Sequence, residues 1–343
     1  MSGKLPPSPP SAPVTRPSST AVARLAGVSQ STVSRVFTPG AAVSDAVRDK
    51  VLKAAAELHY QPNALPAILQ TGRSGLIAVI VGGFYNPFYT DFLGRMVTVL
   101  REQRYETLVV HTSSDDHVGD IVGELSRYRI DGVISALAIH SRRVAQQLAS
   151  FRIPIVGVNS RKLGALRGIT SGNRAAGATA ADTLVEAGCE RIAHLAGRES
   201  SPQAERQRGF VEQARRLKLP EPAIEVAGYS YDEGYEAAVR LLSREGPRPD
   251  GIFCINDLVA IGAMDAIRRE FGLRVPEDIQ LIGFDDIPMA AWKNADLSTF
   301  RQDVDALAAG AAALLHGEEP SLTVIVPTRR VLRGTTRLPR SDA

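Results

Sequence analysis

The chain has 343 residues, of which 44% are hydrophobic, 22% charged and 6% aromatic, enough apolar material for two or three domains. No run approaches the ~20 apolar residues that span a bilayer, and the opening MSGKLPPSPPSAPVTRPSS has Pro and Ser where a signal peptide carries its apolar stretch. Secretion and membrane insertion are therefore not expected, and the two cysteines, Cys189 and Cys254, suit reduced thiols in a cytoplasm better than a disulfide framework.

The net charge of +3 is unevenly spread. Residues 1–73 hold eight Lys and Arg against three acids, a balance of +5 that leaves −2 for the rest. A basic segment on a larger, slightly acidic body fits a polyanion-binding module joined to a second function, or a solvated surface with chance clustering.

In chain order, residues 1–17 carry six prolines and almost no large apolar side chain, so a disordered tail is expected. Between 18 and 61, apolar residues recur at helical spacing in three bursts: Val22, Ala23, Leu25 and Ala26; Val33, Val36 and Phe37; Val47, Val51, Leu52, Ala55 and Leu58. Three short helices are predicted. Strand-length apolar runs follow at 76–81, 107–111, 132–135, 153–158, 191–196, 223–228, 251–256 and 279–284, each expected to precede a helix. Continuous apolar strands separated by helices predict parallel sheets covered on both faces, hence an α/β body of two lobes.

Within the first burst, ARLAGVSQSTVSR (23–35) has the layout of a helix-turn-helix. Ala23 permits close helix approach, Gly27 supplies the turn, and Val28 and Val33 face a miniature core. Ser29 caps the second helix and leaves Gln30, Ser31, Ser34 and Arg35 outward. Gln and Arg can pair bidentately with base edges and hydroxyls can reach phosphates, so Ser29, Gln30, Ser31, Thr32, Ser34 and Arg35 are candidate DNA contacts. The alternative for the same segment is an ordinary αα-hairpin.

Seven segments in order resemble the LacI/GalR family of bacterial transcriptional regulators: VARLAGVSQSTVSRVF, VSDAVRDKVLKAAAELHYQPNAL, TGRS (71–74), NPFY (86–89), ERQRGF (205–210), CINDLVAIGAM (254–264) and VPEDIQLIGFDD (275–286). The resemblance covers residues 18 to about 338. It implies a helix-turn-helix domain at 18–61, a hinge helix and linker at 62–74, and a periplasmic-binding-protein-like body at 75–338. The first lobe would take about 75–172 plus 300–325, and the second about 173–299 plus 326–338. It further implies a cytoplasmic homodimer on double-stranded DNA with a palindromic operator, most simply a repressor. The hinge, with Asn63, would order on DNA and wedge Leu69 into the minor groove. Three residues depart from the family pattern: Ala21 in place of a capping carboxylate, and Pro66-Ala67 in place of Ala-Arg. All three should weaken DNA binding.

The same resemblance implies a small carbohydrate or sugar-acid effector between the lobes, at the C-terminal ends of parallel strands. Asn86, Phe88 and Tyr89 follow the first strand, Asn159 the fourth, Asn256 and Asp257 the strand at 251–255, and Asp285 the run at 279–284. By carry-over Arg206, Asn256 and Asp285 would hydrogen-bond the ligand, and Phe88, Tyr89 and Trp292 would stack on it. Asn173 stands where the family has Asp; an amide accepts less than a carboxylate, which with Arg206 nearby makes an acidic sugar plausible.

Enzyme signatures are lacking: GxxxxGK[ST], HExxH and GxSxG do not occur, and Cys189 with His194 lacks two further zinc ligands, so no cofactor and no metal are expected. Asp285 and Asp286 are adjacent at a strand end and should point apart, against a shared acid/base role. The competing readings are a solute-binding protein without DNA function and a cytosolic Rossmann-type sugar enzyme.

Overall fold

The computed structural model describes residues 17–38, 40–62, 72–82, 85–112, 117–137, 139, 142–160, 166–197, 201–317 and 323–340. The chain divides into two units, Met1–Gly72 and Arg73–Ala343. The expected tail, except its last residue Pro17, and most of the hinge, including Asn63, Pro66, Ala67 and Leu69, lie outside the described residues.

The first unit has three helices, α1 (Ser19–Ala26), α2 (Gln30–Val36) and α3 (Asp45–Glu57). Val22, Ala23, Val33, Val36, Val51, Ala54 and Ala55 form its core, with Val28, Phe37, Val47 and Leu58 packed around them. Leu25 and Leu52, read as part of the same apolar pattern, instead lie on the surface at 47% and 44% exposure.

The second unit alternates strands and helices. Its first lobe contains β1 (Leu76–Val81), α4 (Pro87–Glu102), β2 (Glu106–His111), α5 (Val118–Leu125), β3 (Gly132–Ser135), α6 (Arg142–Ser150), β4 (Ile155–Val158) and β5 (Arg167–Ser171). Its second lobe contains α7 (Asn173–Glu186), β6 (Ile192–Ala196), α8 (Ser201–Arg216), β7 (Ala223–Val226), α9 (Tyr231–Leu242), β8 (Gly251–Cys254), α10 (Asp257–Glu270), β9 (Gln280–Ile282) and β10 (Thr299–Gln302). The chain then returns through α11 (Val304–His316) and β11 (Thr323–Val326) to the first sheet and ends with β12 (Thr328–Val331).

One sheet has the order β11-β5-β4-β3-β1-β2 and the other β7-β6-β8-β9, all neighbours parallel, while β10 and β12 form an antiparallel pair. Central strands are covered on both faces, which is why β1 and β3 read as unbroken apolar runs. Strand β4 is followed by β5, not by the expected helix. Residues 299–302 pair with β12, and Arg301 bridges to Asp285.

The crossings between lobes run side by side: Gly172 N–H donates to Val326 O at 2.8 Å, and Ser171 Oγ to Gln302 Oε1 at 2.5 Å. In the second lobe α7 and α8 touch backbone to backbone. A Cβ at Gly177 would sit 2.0 Å from Arg206 O, and one at Gly209 2.0 Å from Arg174 O. Glycine at both contact points lets α8 carry Arg206 inward. Among the described residues no helix is long and apolar enough to cross a membrane.

Candidate functional site

The recognition surface of the first unit is built by caps and a small core. Ser18 Oγ accepts from Ala21 N–H at 3.2 Å, the half of a capping box that survives without a carboxylate at position 21. Gly27, at φ +67°, closes α1 and turns the chain toward α2. Ser29 Oγ accepts from Thr32 N–H at 3.2 Å and lies 2.8 Å from both the Ser31 and Thr32 hydroxyls. With Val33 and Val36 buried, Gln30, Ser31, Ser34 and Arg35 are exposed, and Thr32 is half-buried. Gln30 Nε2 donates to Ser19 Oγ at 2.9 Å, which ties α2 to the first turn of α1. Arg48 Nη1 donates to Val36 O at 3.1 Å and so closes the end of α2.

In the second unit, a buried polar cluster joins the two lobes. Asn86 caps α4 by accepting from Phe88 N–H at 3.0 Å, and its Nδ2 donates across the lobes to Asp285 Oδ2 at 2.9 Å. The other oxygen of Asp285 accepts from Gln302 Nε2 at 2.7 Å, so one hydrogen-bonded path runs from Ser171 through Gln302 and Asp285 to Asn86. Burial pushes the Asp285 carboxyl up to about 6, against the opposing pull of Arg206, Asn86 and Gln302. Asp286 points the other way, to Arg301 Nε at 2.5 Å and Arg333 Nη2 at 2.7 Å. The tandem is no acid/base pair.

Arg206 is buried beside Asp285. Its Nε donates to Asn173 Oδ1 at 2.7 Å, its Nη1 to Ile255 O, and its guanidinium carbon lies 3.6 Å from the centroid of the Phe284 ring. Nη2 has no hydrogen-bond partner among the described residues, leaving a donor for a ligand. Asn173 also donates to Ser171 O at 2.9 Å and to Thr170 Oγ1 at 3.1 Å. The amide that replaces the family's carboxylate thus spends its oxygen on Arg206 without cancelling the charge.

Asn256 caps α10 through Val259 N–H at 2.8 Å and donates to Tyr229 O at 2.9 Å. Asp257, fully buried, accepts from Thr299 Oγ1 at 2.5 Å and Ile287 N–H at 2.9 Å; burial first, then the charge of Asp285, hold its carboxyl above the usual range. Phe88 and Tyr89 meet edge to face at 5.3 Å, and burial, then Asp285, raise the Tyr89 hydroxyl pKa. Asn159 adopts φ +53°, donates its N–H to Ile169 O at 2.8 Å, and accepts through Oδ1 from Thr170 Oγ1 at 3.3 Å and Ser171 N–H at 3.4 Å.

A cavity of about 570 Å³ opens on Phe88, Asp285 and Gln302, and one of about 670 Å³ on Thr170, Ser171 and Asn173. Either volume holds a small ligand. Trp292, expected to stack on the ligand, is 56% exposed at the end of the short turn Pro288–Ala291 and is not brought to the cluster. Tyr229 and Gln302 were not foreseen. Tyr229 follows the run at 223–228 as Asn86 follows 76–81, so the strand-end signal was present; Gln302 lies on β10, which carries no such signal.

His194 and Cys189 do not converge on a metal: His194 stacks on Phe253 with Nδ1 2.8 Å from Phe253 O, and Cys189 Sγ faces Asp250 O and Gln280. Among the described residues no three His, Cys, Asp or Glu gather as a metal site.

Comparison with known proteins places these two constructions together. Residues 20–63 match the family described as bacterial regulatory proteins, lacI family, and residues 181–336 the periplasmic binding protein-like domain. The ribose operon repressor of Halalkalibacterium halodurans is 31% identical over 92% of this chain and 96% of its own length. The crystal structure of the Lac repressor dimer bound to operator and the anti-inducer ONPF superposes with a TM-score of 0.84 at 27% identity, over 92% of this chain and 97% of that one. A transcriptional regulator CelR–cellobiose complex does so with a TM-score of 0.67 at 26% identity, over 93% and 100%. With its helix-turn-helix unit and its two-lobed body, the chain belongs to the lacI family of bacterial regulatory proteins and is a DNA-binding transcriptional regulator.

Proposed function

We propose that the chain is a cytoplasmic repressor that binds a palindromic operator as a homodimer and changes its operator affinity when a small sugar or sugar acid occupies the space between its lobes. The observation that carries this reading is the buried path Ser171–Gln302–Asp285–Asn86, which crosses between the lobes beside a buried arginine with an unspent donor. A ligand hydroxyl or carboxylate engaging Arg206 and Asp285 would act on groups that also hold the lobes together, so binding and lobe geometry are linked.

Arg206, Asp285 and Asn256 supply the polar contacts in this reading, Asn86, Asn159 and Asn173 orient them, and Phe88 and Tyr89 offer an apolar face. Ser29, Gln30, Ser31, Thr32, Ser34 and Arg35 meet DNA, with Asn63 and Leu69 of the hinge at the operator centre. Support comes from relatives: one is named a ribose operon repressor, one was solved with cellobiose, and the Lac repressor was solved as a dimer on operator. No catalytic step is assigned.

The test is a thermal-shift screen of pentoses, hexoses and their acids on the full chain, paired with selection of bound duplexes from a random pool. A ligand at 100 times its dissociation constant adds about 2.7 kcal/mol of stability. The expected result is one sugar class that stabilises and one palindromic duplex that is retained. Retention of no duplex would contradict the reading.

A further inference from the structure

The two lobes solve the same local problem with different residues. Each helix that feeds a parallel strand must turn sharply, and the chain does so through one residue at positive φ. In the second lobe these residues are Gly188 (φ +86°), Lys218 (+59°), Gly246 (+107°) and Gly272 (+62°), ahead of β6, β7, β8 and β9. In the first lobe they are Arg104 (+65°), Arg129 (+52°) and Arg152 (+55°), ahead of β2, β3 and β4. Glycine adopts this conformation without penalty and a long basic side chain does not, so the turns alone explain three of the four residues in the second lobe and none of the three in the first.

The three arginines share one edge. Their strands are parallel neighbours in the order β4-β3-β1-β2, so the residues ahead of them lie in a row about three strand spacings long, roughly 14 Å. Arg101, in the last turn of α4, and Arg127, in the short turn Ser126–Tyr128, precede the same strands. All five are exposed, and none forms an ion pair among the described residues. The acids at this edge are Glu102, Glu106 and Asp131, and Asp131 is occupied by the Ser74 and Gly75 N–H groups at 2.9 and 3.0 Å.

This is also the edge where the chain from the DNA-binding unit comes into the body, at Arg73–Gly75 just ahead of β1. Pro62 and Gly72 are ten residues apart, a span of at most about 35 Å. Asn86 and Asp285, which meet across the lobes, follow the C-terminal ends of β1 and β9. The strand starts of the second lobe, with their glycines, therefore lie at the opposite end of the body.

We propose that the row Arg104, Arg129 and Arg152, with Arg101 and Arg127, is a second DNA-facing surface that meets the phosphate backbone of duplex beside the bound site. It rests on the DNA-binding reading above. Its contribution is sequence-independent, through counterion release, and adds to the base contacts of α2.

The test uses the full chain and a fluorescein-labelled mixed-sequence duplex of roughly 40 base pairs, titrated by anisotropy at several salt concentrations. The variant is Arg104→Gly, Arg129→Gly and Arg152→Gly together, which relieves the turns and is expected to melt at or above wild type. Its affinity should fall about three- to tenfold at low salt, and the slope of log affinity against log salt should become shallower by about 1 to 3. Lysine at the same three positions should restore both, and Lys218→Gly in the second lobe should change neither. Wild-type affinity and slope in the glycine variant would overturn the inference, whatever acidic partner the row then served. A wild-type chain that does not bind the duplex at all would overturn the DNA-binding reading and this inference with it.

Discussion

The two lobes share a parallel βα plan but divide the site unequally. The first contributes neutral groups to the cluster, namely Asn86, Phe88, Tyr89 and Asn159, whereas the second contributes the charges, Arg206, Asp257 and Asp285. The second lobe is also the one whose helices meet backbone to backbone, at Gly177 with Gly209 and at Gly234 with Gly262, where an added Cβ would come within 2.0–2.5 Å of a main-chain oxygen. In the first lobe Gly94, inside α4, has open space where its Cβ would be. A buried ion is tolerable only in a cage that keeps its partners in place. The charges therefore lie where the packing leaves least freedom, and the neutral groups in the other lobe.

The largest effect that could break this comparison is on stability. Gly209→Ala should cost about 3 kcal/mol, because the Arg174 carbonyl is main chain and cannot step aside. Gly94→Ala should be neutral or stabilise by up to about 1 kcal/mol, as for an unobstructed glycine in a helix. Urea unfolding of both variants checks the contrast, and equal costs would remove the distinction between the lobes.

A second contrast is read in ligand binding. Arg206→Ala should abolish the thermal shift given by the stabilising sugar. Asn86→Ala, which leaves Asp285 its bond from Gln302, should lower the ligand's contribution by only about 1 kcal/mol. Isothermal titration of the two variants ranks them, and the reverse order would place the recognising charge in the wrong lobe.

The third concerns pH and has opposite signs in the two states. The Asp285 carboxyl is raised to about 6, so on acidification the folded state takes up its proton before the unfolded chain does. Between pH 7 and pH 5 this protonation favours the folded ligand-free body, the raised Asp257 carboxyl adds to it and the lowered His194 imidazole opposes it, while affinity for a ligand that needs the Asp285 carboxylate falls about tenfold. Asp285→Asn should flatten the affinity curve and remove the Asp285 part of the stability change, and an affinity that rises on acidification would assign the ligand contact elsewhere.

How much of this was legible in the sequence depends on how local each signal is. Strands β1 and β3 could be read to the residue, because central parallel strands need apolar side chains on both faces. Strand β5, RGITS, could not: Arg167 is there to donate to Leu314 O and Leu315 O at the end of α11, a partner nearly 150 residues away. The pair β10 and β12 was hidden likewise, since TFRQ and TRRV mix arginines into short strands. In the site, Asn86, Asn256 and Asp285 carry a local signal because each comes within a few residues of the end of a strand. The Arg206–Asn173 bond and the role of Gln302 join distant segments and leave no local trace. Trp292 lies 56% exposed, and an aromatic in a family position carries no local signal of which face of its turn it occupies.

The central claim is that occupancy of the cluster and grip on DNA are one equilibrium. Anisotropy of the selected duplex, titrated with the full chain with and without the stabilising sugar, tests it most directly. The account predicts a shift of about 5- to 150-fold in wild type, in either direction, and none in Arg206→Ala, whose ligand-free affinity stays near normal. A sugar that stabilises the wild-type chain yet leaves its DNA affinity unmoved would contradict it.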